Sequence, residues 1–230
     1  MAREKTTSDQ FRKPAGWIDQ FRKPAGWRGR FNLWRMNRGH SDLTDWGLAH
    51  VSIKESDTIL DVGCGGGRTV SKLAARAEQG KVYGIDYSPE SVAASRKTNA
   101  QWIAMGRAEI QQGSVSQLPF PDGAFDLVTA VETQYFWPDL PADMREVFRV
   151  LKPGGSFILI AEVYKGGRKI ENKSSGKYME MKVLIDNGMK ILSVEEHREL
   201  FAKTGYSDIQ VAEESEKEWI CCVGRKPSIS

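Results

Sequence analysis

The sequence predicts an α/β protein built on a largely parallel sheet that helices cover on both faces. Three observations lead to this prediction. From residue 57 onward, short apolar runs alternate with amphipathic segments; a glycine-rich loop joins the first run to the first helix; and the last two runs have no helix between them. Alternating strands and helices form parallel sheets, whereas two successive strands pair as an antiparallel hairpin at the sheet edge.

The elements follow one another in a regular order. Apolar runs predict strands at residues 58–62, 81–85, 108–111, 125–131, 156–161, 208–213 and 219–223. Gly80 stands where a glycine ends the first helix, and residues 152–155 form a turn before the fifth strand. Ser88 followed by Pro89 is typical of a helix start, and Ser193–Glu196 is a capping box that opens the last helix.

Length and composition limit the class of protein. The 230 residues are enough for one large domain or two small ones, and 40% of them are hydrophobic, as in ordinary globular proteins. The three cysteines (Cys64, Cys221 and Cys222) provide neither a disulfide framework nor the ligand spacing of a zinc site, so no metal is expected. The chain shows no apolar run of about 20 residues and no secretory leader, which favours a cytoplasmic location.

Charge and repetition divide the chain into three predicted parts: a basic arm (1–29), a helical lid (30–55) and the main domain (56–230), with an insertion at 165–192. Residues 1–40 hold ten basic and three acidic side chains, so the rest of the chain is mildly acidic. In the lid, Thr44 is expected to cap a second short helix.

The arm carries an internal repeat, because Asp9–Trp17 recurs letter for letter as Asp19–Trp27. It is either a doubled Arg/Lys/Trp clamp for an anionic surface, including weak contact with a membrane surface, or a duplication without a function of its own. The confinement of the positive charge to the arm argues against nucleic acid as the partner.

The glycine loop is the most informative segment. Residues 63–67 follow Asp61, and their spacing differs from the G-x-G-x-x-G pattern of dinucleotide sites, with Arg68 at the place of the third glycine. The Asp61 carboxylate would repel a pyrophosphate, but it suits a ligand with an amino group and a sulfonium, such as S-adenosylmethionine. Asp86, nineteen residues past Gly67, is placed to bind ribose hydroxyls.

Four motifs carry a resemblance to a known family. They are Leu60–Gly67, Gly84–Glu90, Leu118–Asp126 and Arg149–Gly155. With these motifs in this order, the sequence over about residues 57–224 resembles the class I S-adenosylmethionine-dependent methyltransferases, especially the ubiquinone/menaquinone-biosynthesis C-methyltransferases. The resemblance implies a Rossmann-like, doubly wound, seven-stranded sheet of order 3-2-1-4-5-7-6 with strand 7 antiparallel. It also implies S-adenosyl-L-homocysteine as product.

The resemblance assigns a set of cofactor-binding positions to this chain. They are Asp61, Gly63, Cys64, Gly65, Gly67, Asp86, Tyr87, Ser88, Gly113, Ser114, Val115, Val131 and Glu132. At one of them the chain departs from the family, because Ser114 stands where an acidic residue usually lies near the adenine amine. A serine hydroxyl still accepts a hydrogen bond there, but it carries no charge.

The acceptor of the methyl group is expected beyond the fourth strand, around residues 131–139. Three consecutive aromatic residues at 135–137 would wall a flat acceptor, stack on the adenine or pack in the core. Methyl transfer requires an oriented nucleophile and, where needed, removal of a proton, and Glu132, Tyr135 and His40 are the candidate catalytic groups. The lid and the insertion at 165–192 are expected to close this pocket. His197 is expected on the surface.

The first hypothesis is therefore a methyltransferase of a small-molecule acceptor. The alternatives are an RNA or protein methyltransferase that grips its substrate with the arm, a protein that binds S-adenosylmethionine without chemistry, and, last, an NAD-dependent oxidoreductase. An N-P-P-Y-type tetrapeptide, frequent in enzymes that methylate amino groups of macromolecules, does not follow the fourth strand. The sequence does not give the oligomeric state.

Overall fold

The computed structural model describes residues 41–166, 185–186 and 188–228. Its strands are β1 (Thr58–Val62), β2 (Lys81–Asp86), β3 (Ala108–Gln112), β4 (Phe125–Val131), β5 (Leu151–Ala161), β6 (Ser207–Glu214) and β7 (Trp219–Arg225). Its helices are α1 (Ser41–Leu48), α2 (Arg68–Arg76), α3 (Pro89–Thr98), α4 (Ala100–Ala104), α5 (Leu140–Val150) and α6 (Val194–Lys203), with a 3₁₀ turn at Gln134–Phe136.

The seven strands form one sheet in the order β3-β2-β1-β4-β5-β7-β6. The first five strands are parallel, and β7 runs antiparallel to both β5 and β6. The predicted fold class and strand order are therefore confirmed, including the final hairpin. The carboxyl ends of β1, β2, β4 and β5 meet at one edge, where open α/β sheets bind ligands.

Alternating side chains along the strands build a core on each face of the sheet. Leu60 and Val62 belong to a buried cluster with α5 and α6, whereas Ile59 belongs to a second cluster with α1 and α2. Helix α2 contributes Val70 and Leu73 to the second cluster, as the helical spacing of these residues predicts. Burial on both faces explains why these strands are nearly continuous apolar runs.

Strand β5 begins five residues earlier than the sequence predicts. The segment 152–155, expected as a turn, belongs to the strand, and the register against β4 shifts between Phe125 and Leu127. Gly154 has φ +79°, a conformation that glycine adopts without steric cost. The pattern was wrong here because a bulged strand start and a turn use the same glycine-rich sequence.

Two expectations about helices also need correction. Helix α2 ends at Arg76, so Gly80 is not its terminal glycine; a Cβ at Gly80 would lie 2.1 Å from the Asp57 carbonyl oxygen, so this glycine permits a close chain approach. His197 is buried rather than exposed, and its Nδ1 lies 2.7 Å from the Ser193 carbonyl oxygen. Burial lowers the pKa of His197.

The predicted caps of α3 and α6 are present. The Ser88 hydroxyl accepts a hydrogen bond from the Ser91 amide, with Pro89 in the first turn. At α6 the Ser193 hydroxyl accepts from the Glu196 amide, and the Glu196 carboxylate accepts from the Ser193 amide at 2.7 Å. These reciprocal bonds satisfy donors that a helix start would otherwise leave unpaired.

Helix α1 belongs to the described part of the predicted lid, residues 41–55. Thr44 lies inside this helix and does not cap it. The helix packs closely on the sheet, because a Cβ at Gly47 would lie 2.3 Å from the Ile160 Cδ1 atom. It is also tied to α2, where Lys72 forms an ion pair with Asp45.

Several sequence predictions lie outside the described residues: the arm, His40, the first part of the lid, and residues 167–184 and 187 of the insertion. None of the helices in the described part of the chain is both long enough and apolar enough to cross a membrane.

Candidate functional site

A cavity of about 340 Å³ opens at the carboxyl ends of β1, β2 and β4. The glycine loop forms its floor, the segment after β2 and the turn after β3 form one side, and the segment after β4 forms the other. Its lining is Thr44, Asp61–Gly66, Arg68, Thr69, Ile85–Tyr87, Ser91, Gly113–Val115, Val131–Thr133 and Phe136–Pro138.

The glycine loop folds back on β2 and leaves its backbone accessible. The amides of Gly63 and Cys64 both donate to the Ile85 carbonyl oxygen, at 2.8 and 3.0 Å. Gly65 has φ +51°, and a Cβ there would meet no atom within 4 Å. A ligand can therefore approach the backbone at Gly65 without a side chain in the way.

Asp61 places a buried carboxyl group at the floor of the cavity. It lies opposite Thr129 in the β1–β4 ladder, and the Thr129 hydroxyl donates to Asp61 Oδ1 at 2.6 Å. Burial raises the pKa of Asp61 to about 7, the nearby Asp86 charge adds to this rise, and the Thr129 hydrogen bond opposes it. A cationic ligand group beside Asp61 would restore its ionised form.

Asp86 ends β2 on the other side of the loop. Its Oδ2 accepts the Gly65 amide at 2.9 Å, and its Oδ1 accepts the Ser88 amide at 2.8 Å. Burial raises the pKa of Asp86, and these donated hydrogen bonds oppose the rise. A carboxylate has about four acceptor sites, so the two oxygens retain capacity for hydroxyl donors of a ligand.

The turn after β3 brings Ser114 to the cavity. The Gly113 amide donates to the Asp86 carbonyl oxygen at 3.0 Å, which joins this turn to the end of β2. Gly113 has no room for a side chain, because a Cβ would lie 2.4 Å from Ile85 Cδ1. Tyr87 is 57% exposed at the same side of the cavity.

Glu132 follows β4 in a strained backbone conformation, with φ 58°. Its Oε1 accepts the Glu162 amide at 2.5 Å and the Tyr135 hydroxyl at 3.1 Å. The Tyr135 hydroxyl in turn accepts the Val163 amide at 3.0 Å. Positive φ in a residue other than glycine costs free energy and is concentrated at functional sites.

Tyr135 stands behind Glu132 and is absent from the cavity lining. It is buried, and this burial raises the pKa of its hydroxyl well above the ordinary value, with the Glu132 charge adding to the rise. A hydroxyl in this state does not serve as a base at neutral pH. In the described structure the Tyr135 hydroxyl therefore contacts Glu132 and does not line the cavity.

Most sequence-predicted site residues meet in the cavity. Those that line it are Asp61, Gly63, Cys64, Gly65, Asp86, Tyr87, Gly113, Ser114, Val115, Val131 and Glu132. Ser88 lies behind Asp86 as a helix cap. Gly67 lies where α2 meets α3, since a Cβ there would be 2.4 Å from both Ser95 Oγ and Asn99 Nδ2.

Some lining residues were not predicted from the sequence. Thr44 reaches the cavity from α1, Thr69 from α2 and Ser91 from α3. They carry no motif and are brought to the cavity by helix packing alone. Of the three consecutive aromatic residues, Phe136 and Trp137 line the cavity and Tyr135 does not.

Comparison with known proteins finds methyltransferases. The family model described as "Methyltransferase domain" matches residues 60–159. A demethylmenaquinone methyltransferase of Symbiobacterium thermophilum is 37% identical over 114 residues, which are 49% of this chain and 45% of that protein. A 2-methyl-6-phytyl-1,4-hydroquinone methyltransferase of Oryza sativa subsp. japonica is 28% identical over 179 residues, 76% of this chain and 50% of that protein.

A solved structure shares the fold. The S-adenosylmethionine-dependent methyltransferase of Aquifex aeolicus superposes with a TM-score of 0.69 at 21% sequence identity, covering 84% of this chain and 96% of that one. Residues 60–159 therefore match a methyltransferase domain, and the described fold is shared with the Aquifex aeolicus enzyme. Over the aligned residues the chain is similar to the two quinone-type methyltransferases named above, in line with the resemblance that its motifs carry. The chain spans about half the length of the curated relatives it matches first.

Proposed function

We propose that this protein transfers a methyl group from S-adenosylmethionine to a small-molecule acceptor and releases S-adenosyl-L-homocysteine. The observation that carries the proposal is the pair of carboxyl groups, buried Asp61 and half-buried Asp86, which flank the bare glycine loop in one cavity. Two carboxyl groups beside an accessible backbone loop fit a nucleoside that carries a cationic amino-acid tail better than they fit a pyrophosphate.

Each part of that ligand has a partner in the proposal. Asp61 holds the cationic amino group, Asp86 accepts the ribose hydroxyls, and the backbone at Gly63 and Gly65 admits the tail. Ser114 accepts from the adenine amine. When bound, this group supplies an electrophilic methyl carbon; the residues of the chain bind it, orient it and exclude water.

The acceptor occupies the side of the cavity beyond β4 in this proposal. Glu132, Phe136 and Trp137 line that side, and Thr44 closes part of it from α1. The presence of Thr44 supports a role of the N-terminal helices as a wall of the acceptor pocket. The corresponding role of the insertion at 165–192 remains a proposal from the sequence.

Isothermal calorimetry with S-adenosyl-L-homocysteine tests the binding half of the proposal. Asp86→Asn should weaken binding at least tenfold, because it removes the charge that strengthens hydrogen bonds from ribose hydroxyls. Glu109→Gln is the matched control, since it removes the same charge from an exposed position on β3 and should leave the affinity unchanged. Tight binding of NAD together with no binding of S-adenosyl-L-homocysteine would refute the proposal.

Turnover is tested separately, with methyl-labelled donor and a small-molecule extract of the host cells analysed by mass spectrometry. Label in a low-molecular-weight product supports transfer to a small acceptor. Cofactor binding without any labelled product would favour a protein that binds the cofactor without chemistry.

A further inference from the structure

Thr129 is a polar side chain of β4 that is fully buried next to the cavity floor. It lies opposite Asp61 in the parallel ladder of β1 and β4, so both side chains project from the same face of the sheet. The Thr129 hydroxyl lies 2.6 Å from Asp61 Oδ1 and 3.5 Å from the Leu60 carbonyl oxygen. A hydroxyl donates one hydrogen bond, and the shorter distance assigns this bond to the carboxyl group.

The residues on either side of Asp61 in the sheet differ in what they offer its carboxyl group. On the β2 side its partner is Gly84, which has no side chain, and on the β4 side its partner is Thr129. Beyond Thr129, the next residue across the sheet is Ile158 of β5, which is apolar. Within this row of four residues, the Thr129 hydroxyl is therefore the side-chain donor that reaches Asp61.

The surroundings of Asp61 oppose its ionisation, which makes this donor important. The other charged and titratable side chains that line the same cavity are Cys64, Arg68, Asp86, Tyr87 and Glu132. Burial and the Asp86 charge raise the pKa of Asp61, whereas the Thr129 hydrogen bond lowers it. Burial also raises the pKa of the Cys64 thiol well above its ordinary value, so this neighbour adds no charge at neutral pH.

A hydroxyl can pair with either form of a carboxyl group, because it both donates and accepts hydrogen bonds. The bond that it donates to an ionised carboxylate is roughly twice as strong as one between neutral groups. On the basis of the proposed function, we propose that Thr129 is the positioning residue of Asp61: its hydroxyl holds the carboxylate ionised and oriented to receive the cationic amino group of S-adenosylmethionine. Thr129 thereby lowers the pH down to which the protein binds its cofactor tightly.

Calorimetry with S-adenosyl-L-homocysteine at pH 6 and at pH 8.5 tests this role. Thr129→Val removes the hydroxyl and keeps the shape of the side chain. Binding at low pH requires loss of the Asp61 proton, and this loss is harder without the donated hydrogen bond. The ratio of the dissociation constant of the variant to that of the wild type should therefore be at least threefold larger at pH 6 than at pH 8.5.

Two matched variants separate positioning from mere packing. Thr129→Ser keeps the hydroxyl and should restore the pH dependence of the wild type. Thr204→Val removes another buried hydroxyl, which donates to the Leu200 carbonyl oxygen of α6 at 2.7 Å, and should leave the pH dependence unchanged. A ratio for Thr129→Val that is the same at both pH values would overturn the positioning role, because lost packing weakens binding equally at each pH.

A second measurement reads the ionisation of Asp61 without any cofactor. The carboxyl carbon is followed by NMR in protein labelled at aspartate, and Asp61→Asn identifies the signal. The midpoint of the titration should rise by half a pH unit or more in Thr129→Val. Thr129→Cys replaces the valine variant if that variant does not fold, since a thiol is only a weak donor. An unchanged midpoint in the folded variant would overturn the inference.

The failure of the inference differs from the failure of the proposed function. Wild-type protein that does not bind S-adenosyl-L-homocysteine at either pH would refute the proposed function and the inference with it. Wild-type protein that binds it, together with a Thr129→Val variant of unchanged pH dependence, refutes the inference alone.

Discussion

Asp61→Asn should stabilise the fold and weaken the binding of the cofactor. The folded protein raises the pKa of Asp61 from its ordinary 3.8 to about 7, mainly through burial. The unfolded chain therefore loses this proton near pH 4 and the folded chain near pH 7. Between these values the folded state binds more protons, so the stability of the wild type falls as pH rises and levels off above pH 7.

The size of the effect follows from the same values. Each pH unit between the two pKa values is worth about 1.4 kcal/mol, so the ionised side chain costs up to about 4 kcal/mol above pH 7. Asparagine has nearly the same shape and does not ionise. The stability advantage of Asp61→Asn over the wild type should therefore grow by about 2–3 kcal/mol between pH 5 and pH 8.

Urea unfolding at both pH values measures this advantage, and calorimetry measures the affinity. The variant should bind S-adenosyl-L-homocysteine at least tenfold more weakly, and wild-type affinity should fall roughly tenfold per pH unit below pH 7, since binding then requires loss of the Asp61 proton. Glu109→Gln should show neither change. A stability advantage of Asp61→Asn over the wild type that is the same at pH 5 and pH 8 would refute the reasoning that burial raises the pKa of Asp61.

Three further predictions concern the glycine loop, Ser114 and the contact between α1 and α2. Gly67→Ala should lower the free energy of unfolding in urea by about 2–4 kcal/mol, because Gly67 has a positive φ and a Cβ there would crowd α3. Gly65→Ala should lower it by only about 1 kcal/mol, yet it should weaken cofactor binding measured by calorimetry. Equal stability losses in the two variants would contradict this difference. Ser114→Asp should bind S-adenosyl-L-homocysteine about threefold or more tightly, because a charged acceptor strengthens the bond to the adenine amine; an unchanged dissociation constant would place Ser114 away from that amine. Lys72→Met should lower the free energy of unfolding by less than about 1 kcal/mol, because a partly exposed ion pair contributes little to stability. It should nevertheless speed amide hydrogen exchange in α1. Unchanged exchange would show that apolar packing alone holds this helix against the sheet.

The central part of the site was predictable because local sequence and sheet geometry suffice for it. The apolar runs identify β1 and β2, and parallel strands end at the same edge, so Asp61 and Asp86 had to lie near each other. The glycine spacing and the acidic residue together predict the ligand class. Ser88 and Ser193 were predictable as caps because a cap bonds to a residue only three positions away.

The prediction was weaker where contacts join distant parts of the chain. Thr129 is 68 residues from Asp61, and only the register of β4 against β1 makes it the hydrogen-bond partner that holds the carboxyl group. His197 looked exposed because its helix is polar, yet packing buries it. The start of β5 differed because a bulge, visible only in the pairing with β4, extends the strand through glycine-rich sequence.

The sequence by itself determined the α/β fold class, the bare glycine loop and the two acidic positions, since these depend on periodicity and on residues adjacent in the chain. The tertiary structure decided which groups surround them. It set Thr44 of α1 against the cavity, placed Tyr135 behind Glu132, and brought the Glu162 amide within 2.5 Å of the Glu132 carboxylate. The physical reason is that burial and hydrogen-bond partners arise from packing between distant segments, and these determine the charge state and orientation on which chemistry depends.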